Sequence, residues 1–401
     1  MKIKDIGITI TGKTPSTKNK EFFNGNIPFI TPTDIAKGYI VTKTERHISA
    51  SGYNSIKPNV LEGLSVLVGC IGSDMGNVAM VKGRCASNQQ INAITQIKEN
   101  INPYYVYYWL SLKKKYFRQL AGITTTPILP KSVLDEIEID LPAVEIQNRI
   151  AAFLSVIDEK IENNKKINSE LESMVKTIYD YWFLQFDFPD ENGSPYKSCG
   201  GKMVWNEELK REIPEGWRVG VLKDIATITM GSSPKSESLN EKKDGMVFYQ
   251  GKTDFGDRFP KVRMYTNAPI RYAEENDILL SVRAPVGYLN IANEKCCIGR
   301  GLAAISSQYK SFVFYLMNSN HFQFDKYNNG GTTFGAITKD ELFNMKIIIP
   351  KKNIINAFSE KVATYDKMIF NKSKENNELV LLRNYLLPLL LNGQVGFNDF
   401  D

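Results

Sequence analysis

Apolar positions recur every three and four residues from about Ala143 to about Phe183. Ile150, Ile157, Asn164, Leu171 and Ile178 fall at one seam position, and Leu154, Ile161, Asn168, Val175 and Trp182 at the other. This is the a/d rhythm of a coiled coil, whose apolar edge needs a partner helix along its whole length. The same chain supplies one. Adding 208 to each number gives Phe358, Tyr365, Lys372, Leu379 and Leu386 on one seam and Val362, Ile369, Asn376 and Arg383 on the other. Both copies read apolar, then polar, then apolar. Asn168 and Asn376 are equivalent, and a buried amide in such a seam fixes register because a slipped pairing leaves it unmatched. Two long helices lying antiparallel are the expectation, with Pro388 breaking the second near Leu387.

The rest of the chain also states one plan twice. Ile3-Lys4-Asp5-Ile6, then Gly12 and Pro15, are answered by Leu222-Lys223-Asp224-Ile225, then Gly231 and Pro234. Val66 to Gly76 matches Ile278 to Gly287, and Cys85 with Ala93-Ile94 matches Cys296 with Ala304-Ile305. From Gly122, Lys131, Leu134 and Pro142 to Gly330, Lys339, Leu342 and Pro350 the offset holds at 208. Each copy alternates β-branched or aromatic runs with turn signals: Ile27 to Ile30, Ser65 to Val68, Asn92 to Thr95 and Glu136 to Leu141 in the first. One helix is predicted from Pro103 to Leu120, capped by Asn102 and closed by Gly122. Its Tyr104, Tyr105, Tyr107, Tyr108 and Trp109 suit packing better than base stacking. The fold class is therefore α+β: two similar globular domains, each followed by a long helix, the helices pairing antiparallel. The expected divisions are residues 1–142, helix 143–187, linker and second domain 188–350, helix 351–391 and tail 392–401.

Composition narrows the chemistry. The 401 residues carry 42% hydrophobic and 23% charged side chains, ordinary globular content. No apolar run approaches a bilayer span and Met1 to Asp5 is charged, so a cytoplasmic protein is expected. Five cysteines without C-x-x-C spacing, Cys70, Cys85, Cys199, Cys296 and Cys297, lie mostly in apolar surroundings and read as reduced core residues. The two histidines, His47 and His321, are far apart, so a zinc site or a Ser-His-Asp triad has little support. Net charge is +6, and residues 1–142 hold 17 Lys+Arg against 11 Asp+Glu whereas 143–187 hold 5 against 8. A basic front fits a polyanion.

Two motifs imitate catalysis. Gly7 to Thr14 has the spelling of a phosphate-binding loop, but Ile8-Thr9-Ile10-Thr11 alternates like a strand and Pro15 follows where a helix should begin. Pro189-Asp190 with Glu208-Leu209-Lys210 resembles a nuclease carboxylate set, yet its flanks read as linker. There is no base-methylation tetrad and no dinucleotide fingerprint.

Polar loop tips remain as the candidate DNA-binding surface. In the first copy these are Lys13, Thr14, Ser16, Lys18, Lys20, Thr31, Thr33, Lys37, Lys43 and Arg46. In the second they are Ser232, Ser233, Lys235, Lys242, Lys243, Gln250, Lys252, Arg258, Lys261 and Arg263. Lys, Ser and Thr suit phosphate oxygens, while Arg, Gln and Asn can address base edges with paired hydrogen bonds. Recurrence in both copies gives the surface its weight.

The layout resembles the DNA-specificity subunit of type I restriction-modification systems across essentially the whole chain. Carrying residues are Gly12-Lys13-Thr14-Pro15 and Gly231-Ser232-Ser233-Pro234, Leu141-Pro142 with Glu145-Ile146-Gln147, Gly216-Trp217 ahead of Leu222, and Asp187-Phe188-Pro189 leading to Gly200-Gly201. The resemblance implies two target-recognition domains reading a bipartite, asymmetric duplex site. It also implies helices that space them and dock two methyltransferase subunits, with restriction subunits joining through the complex. The chain itself would catalyse nothing. S-adenosylmethionine, ATP and Mg would be bound by partners. Two departures stand out: Pro350 to Ile354 lacks the Glu and Gln of the first copy, and the first copy has no counterpart of Ile213 to Trp217. A reading from another class is a coiled-coil scaffold with paired ligand- or protein-binding domains.

Overall fold

The computed structural model describes residues 1–36, 38–122, 127–319, 324–328 and 335–396. They form two compact units, Met1–Asn163 with the chain from Asn376 onward, and Asn164–Glu375.

In the first unit an antiparallel four-stranded sheet runs in the order Ile8–Thr11, Ile91–Thr95, Leu64–Gly69, Val78–Lys82. The second unit repeats it as Thr227–Met230, Leu302–Ser306, Ile278–Ser281, Leu289–Ile291. Register repeats too: Thr9 lies opposite Ile94, and its counterpart Ile228 opposite Ile305. Each unit adds a second sheet in which one parallel pair, Ile27–Ile30 with Cys85–Ser87 or Met246–Tyr249 with Cys296–Ile298, is flanked by antiparallel strands. The sheet entry is set the same way in both: Asp5 accepts the N–H of Lys2 at 3.0 Å, and Asp224 that of Val221 at 3.1 Å. Cys70, Cys85, Cys296 and Cys297 are buried free thiols, whereas Cys199 is exposed.

The first long helix runs Val144–Tyr179 and continues as a π-turn over Asp180–Leu184. The second runs Lys352–Leu391. In the first unit Arg383 pairs with Asp158 and Asn376 donates to the Ile161 carbonyl; in the second Asn164 donates to Glu375 at 2.8 Å and Asn168 to Ser373 at 3.0 Å. Rising numbers on one helix meet falling numbers on the other, so the pair is antiparallel. Asn168 to the Ile369 carbonyl at 3.4 Å and Asn376 to the Ile161 carbonyl at 3.3 Å are the same bond under the 208 offset. Of the seam, Ile150, Leu154, Ile157, Ile161, Asn164, Leu171, Val175, Trp182, Phe358, Val362 and Ile369 are buried. Asn168, Ile178, Tyr365, Asn376, Leu379 and Leu386 are half-buried.

Four expectations need correction. The Pro103–Leu120 helix is two, Pro103–Ser111 and Lys114–Leu120. The break lets Lys114 reach Asn77 (2.5 Å) while Phe117 enters the core fully buried. Tyr105, Tyr107, Tyr108 and Trp109 are indeed packed inside. Glu136–Leu141 is not a strand: a helix ends at Glu136, and only one bridge, Glu138 to Lys2, follows. The equivalent Lys346–Ile349 is a strand because Arg218–Val221 pairs with it over four residues, whereas Met1 to Ile3 meets only Ile137 to Ile139. The supposed linker is ordered, with a hairpin of Met203–Asn206 and Arg211–Pro214 and a stack of Tyr196, Phe188 and Trp217. Finally, Pro388 lies inside the second helix rather than ending it. A mid-helix proline costs roughly 3 kcal/mol, and burying Leu387 and Leu390 in the first unit's core returns about 1.5–3 kcal/mol each.

Candidate nucleic-acid interface

Each unit builds a polar cluster at one sheet end from the same backbone event. After the strand Ile8–Thr11 the chain turns at Gly12, whose N–H donates to the Ile91 carbonyl at 2.9 Å. A Cβ there would lie 2.2 Å from the Asn88 carbonyl oxygen, so only glycine fits. Gly231 repeats the arrangement, donating to Leu302 at 2.9 Å with the Gly299 carbonyl 2.2 Å from any added Cβ. That tight passage brings Gly12 against Asn88 and Thr14 beside Gln89. Thr14 donates to the Gln89 amide oxygen at 2.9 Å. In the second unit the Arg300 N–H donates to the Ser233 hydroxyl at 3.3 Å, and the loop carrying Gln250 packs against Gly299 and Gly301.

Thr31, Thr33 and Arg46 line a groove of about 480 Å³ with Ser73, Asn88 and Gln90. Thr31 also donates to Asp34 at 2.7 Å, so part of its capacity holds the local turn. Lys18, Lys20 and Lys43 are exposed; Lys37 lies outside the described residues. In the second unit Ser232 is half-buried, and Lys235, Lys242, Lys243, Gln250 and Lys261 are exposed. Lys252 sits 4.3 Å from the centre of the Tyr288 ring, and exposed Arg263 lies 3.6 Å from Asp254.

Arg258 does not belong in the set. Its side chain is 4% exposed, bonded to Asp366 at 2.8 Å and to the Tyr315 hydroxyl at 3.1 Å, and stacked 3.8 Å over the Phe314 ring. Free of a partner it would be costly to bury; paired and stacked it is an internal anchor. Conversely, sequence reasoning passed over Asn88, Gln89, Gln90 and Arg300. Gln89 and Arg300 are exposed and occupy the same place in the repeat. The available signal was their position between two strands of the duplicated plan, directly before Ile91 and after Gly299. Glutamine and arginine are both able to form bidentate bonds to base edges.

Neither catalytic imitation survives the geometry. The Gly7–Thr14 segment is a paired strand ending in a crowded turn, with no open cradle of backbone N–H groups. Asp190 accepts two backbone N–H groups of its own turn, from Asn192 and Ser194, each at 2.8 Å. Glu208 pairs instead with Lys346 at 2.5 Å. Among the described residues no three His, Cys, Asp or Glu side chains form a metal-ligating group, and no helix is long and apolar enough to cross a membrane.

Both units repeat one sheet plan and one glycine-crowded polar turn, and both contribute to the two long helices. Residues 1–173 and 214–381 both match the type I restriction modification DNA specificity domain. The chain belongs to that family, whose members supply specificity rather than catalysis. It is 30% identical over 99% of its length to the type I restriction enzyme MjaIX specificity subunit of Methanocaldococcus jannaschii, covering 93% of that protein. Against the putative MjaX specificity subunit of the same organism it is 34% identical over 80% of this chain and 75% of that one. The solved type I S subunit of M. genitalium has a similar fold, with TM-score 0.56 at 17% identity, 97% of this chain and 95% of that one being covered.

Proposed function

We propose that this subunit reads a bipartite, asymmetric duplex DNA site, one half per globular domain, and docks methyltransferase subunits on its paired helices. The observation that carries the reading is the recurrence of one sheet-end cluster with different side chains. Lys13, Thr14 and Gln89 stand in one copy where Ser232, Ser233 and Arg300 stand in the other, so unlike half-sites follow. Phosphate contacts from Lys, Ser and Thr would set the register, and Gln89, Gln250 and Arg300 would address bases. At about 1.5 Å per residue a helix of 36 residues is roughly 54 Å long, comparable with one or two DNA turns of roughly 34–36 Å. Such helices suit an unread spacer between the half-sites.

Docking is supported by apolar side chains left on the helices. Val156, Leu381, Leu382 and Tyr385 of the first unit are between 46% and 70% exposed, and in the second unit Met174 and Met368 are 49% and 41% exposed. S-adenosylmethionine, ATP and Mg would then be bound by the partner subunits. The test is binding of the methyltransferase-bound protein to random-sequence duplex across a salt series. A polyphosphate contact requires affinity to fall steeply with salt. Flat salt dependence would instead favour a scaffold for protein or small ligands.

A further inference from the structure

We propose that two arginine–aspartate clasps, Asp158–Arg383 and Asp366–Arg258, each with one partner buried, set the angle at which each domain is held on the helical pair. This rests on the two-half-site reading above and adds the residues that position each reader. In the first unit Asp158, on the first long helix, is 3% exposed, accepts the Tyr108 hydroxyl at 2.8 Å and pairs with Arg383 of the second helix. One carboxylate thus joins the globular domain and both helices. In the second unit Asp366, on the second long helix, accepts the Tyr315 hydroxyl at 3.0 Å, the Ser311 hydroxyl at 2.7 Å and Arg258 at 2.8 Å. Arg258 also lies 3.8 Å from Glu172 of the first helix. Asp366 is Asp158 plus 208, so the device recurs at the same helical place although its arginine comes from a helix in one unit and a domain loop in the other.

The remaining domain–helix contact is mainly apolar. In the first unit Ile150, Ala151 and Leu154 belong to the same core as Tyr105, Val106 and Leu110; in the second Tyr179, Phe183 and Phe358 pack with Phe312 and Tyr315. Such contact is non-directional and tolerates rotation. A charge-assisted hydrogen bond is directional and does not. The first domain has a second polar pin where the helix begins, since Gln147 accepts the Asn102 N–H at 3.0 Å and Asn148 accepts the Asn102 side chain at 2.7 Å. Ile355 stands in place of that glutamine in the second unit. Among the described residues the second domain has only a longer pin, Ser319 to Asp180 at 3.4 Å, and so depends more on its clasp.

The experiment uses the full chain bound to its methyltransferase and three duplexes: the cognate site and the site with either half scrambled. The affinity ratio of cognate to scrambled duplex measures each domain's discrimination, and thermal melting is recorded beside it. Arg258→Gln should lower discrimination at the second domain's half-site at least tenfold while leaving the other ratio within about twofold. Arg383→Gln should do the reverse with a smaller loss. Tyr108→Phe and Tyr315→Phe, which keep the packed rings, should give the same half-site pattern in milder form, and Arg258→Lys should recover part of the loss. General unfolding lowers the active fraction and leaves both ratios alone. Unchanged ratios in all variants, or equal losses at both half-sites, would overturn the proposal. Failure of the native complex to discriminate at either half-site would instead count against the two-half-site reading.

Discussion

Phe358 is fully buried where the second unit's helices meet its globular domain. Its ring contacts Tyr179, Trp182, Phe183 and Tyr315 with centroids at 5.9, 5.9, 5.1 and 6.2 Å. Phe358→Ala removes a buried ring with partners on three elements, a change that costs about 3–5 kcal/mol. Phe358→Leu keeps most of the volume and apolar burial and loses chiefly the ring-on-ring geometry, so its cost should fall below that of alanine, which loses the burial as well. In a unit of this size each kcal/mol shifts the melting temperature by about 2–4 °C. The alanine variant should therefore melt roughly 6–20 °C lower by scanning calorimetry. A shift under about 3 °C, or leucine as damaging as alanine, would refute the claim that this aromatic junction holds helices and domain together.

Three further expectations are independent of that one. Arg300→Ala should cost about 1–3 kcal/mol in binding and relax sequence preference at one position of the second half-site, read by competition with duplexes varied base by base. Asn168→Leu should raise the melting temperature, since it replaces a seam amide by an apolar side chain, and should loosen helix register, seen as heterogeneous disulfide trapping between cysteines placed across the seam. Burial raises the Glu172 carboxyl above its ordinary pKa, against the pull of Arg258. A raised carboxyl stabilises the fold while protonated and loses that contribution as pH rises through the folded-state value. Glu172→Gln should accordingly melt higher than the native chain near neutral pH, with the difference closing in acid.

The long-range plan was legible because it is written in periodicity and repetition. The seam from Ile150 to Trp182, its echo from Phe358 to Leu386, and the strands at Ile27, Ser65 and Asn92 all come from apolar spacing, which reports burial directly. Single polar residues carry no such signal. Arg258 has the same surroundings in sequence as Lys261 or Arg263, and only the fold brings Asp366 and Phe314 to it from more than 50 residues away. Gln89 and Arg300 were hidden for the opposite reason, since polar tips between strands look like any turn until the crowded glycines Gly12 and Gly231 fix what they face. Pro388 shows local propensity losing to packing. The hairpin at Met203–Pro214 was missed because its strands are only four residues each and lie in a stretch crowded with turn residues, and what anchors it is Ile213, buried in the same core as Phe188 and Trp217.

The central claim, two unlike readers on one chain, is tested most directly by sequencing methylated bases genome-wide in a host carrying this gene with its partner genes. The account predicts one interrupted motif whose two specified halves differ in sequence and are separated by a fixed run of unspecified bases. A contiguous motif, a palindromic one, or methylation unchanged when this gene is deleted would contradict it.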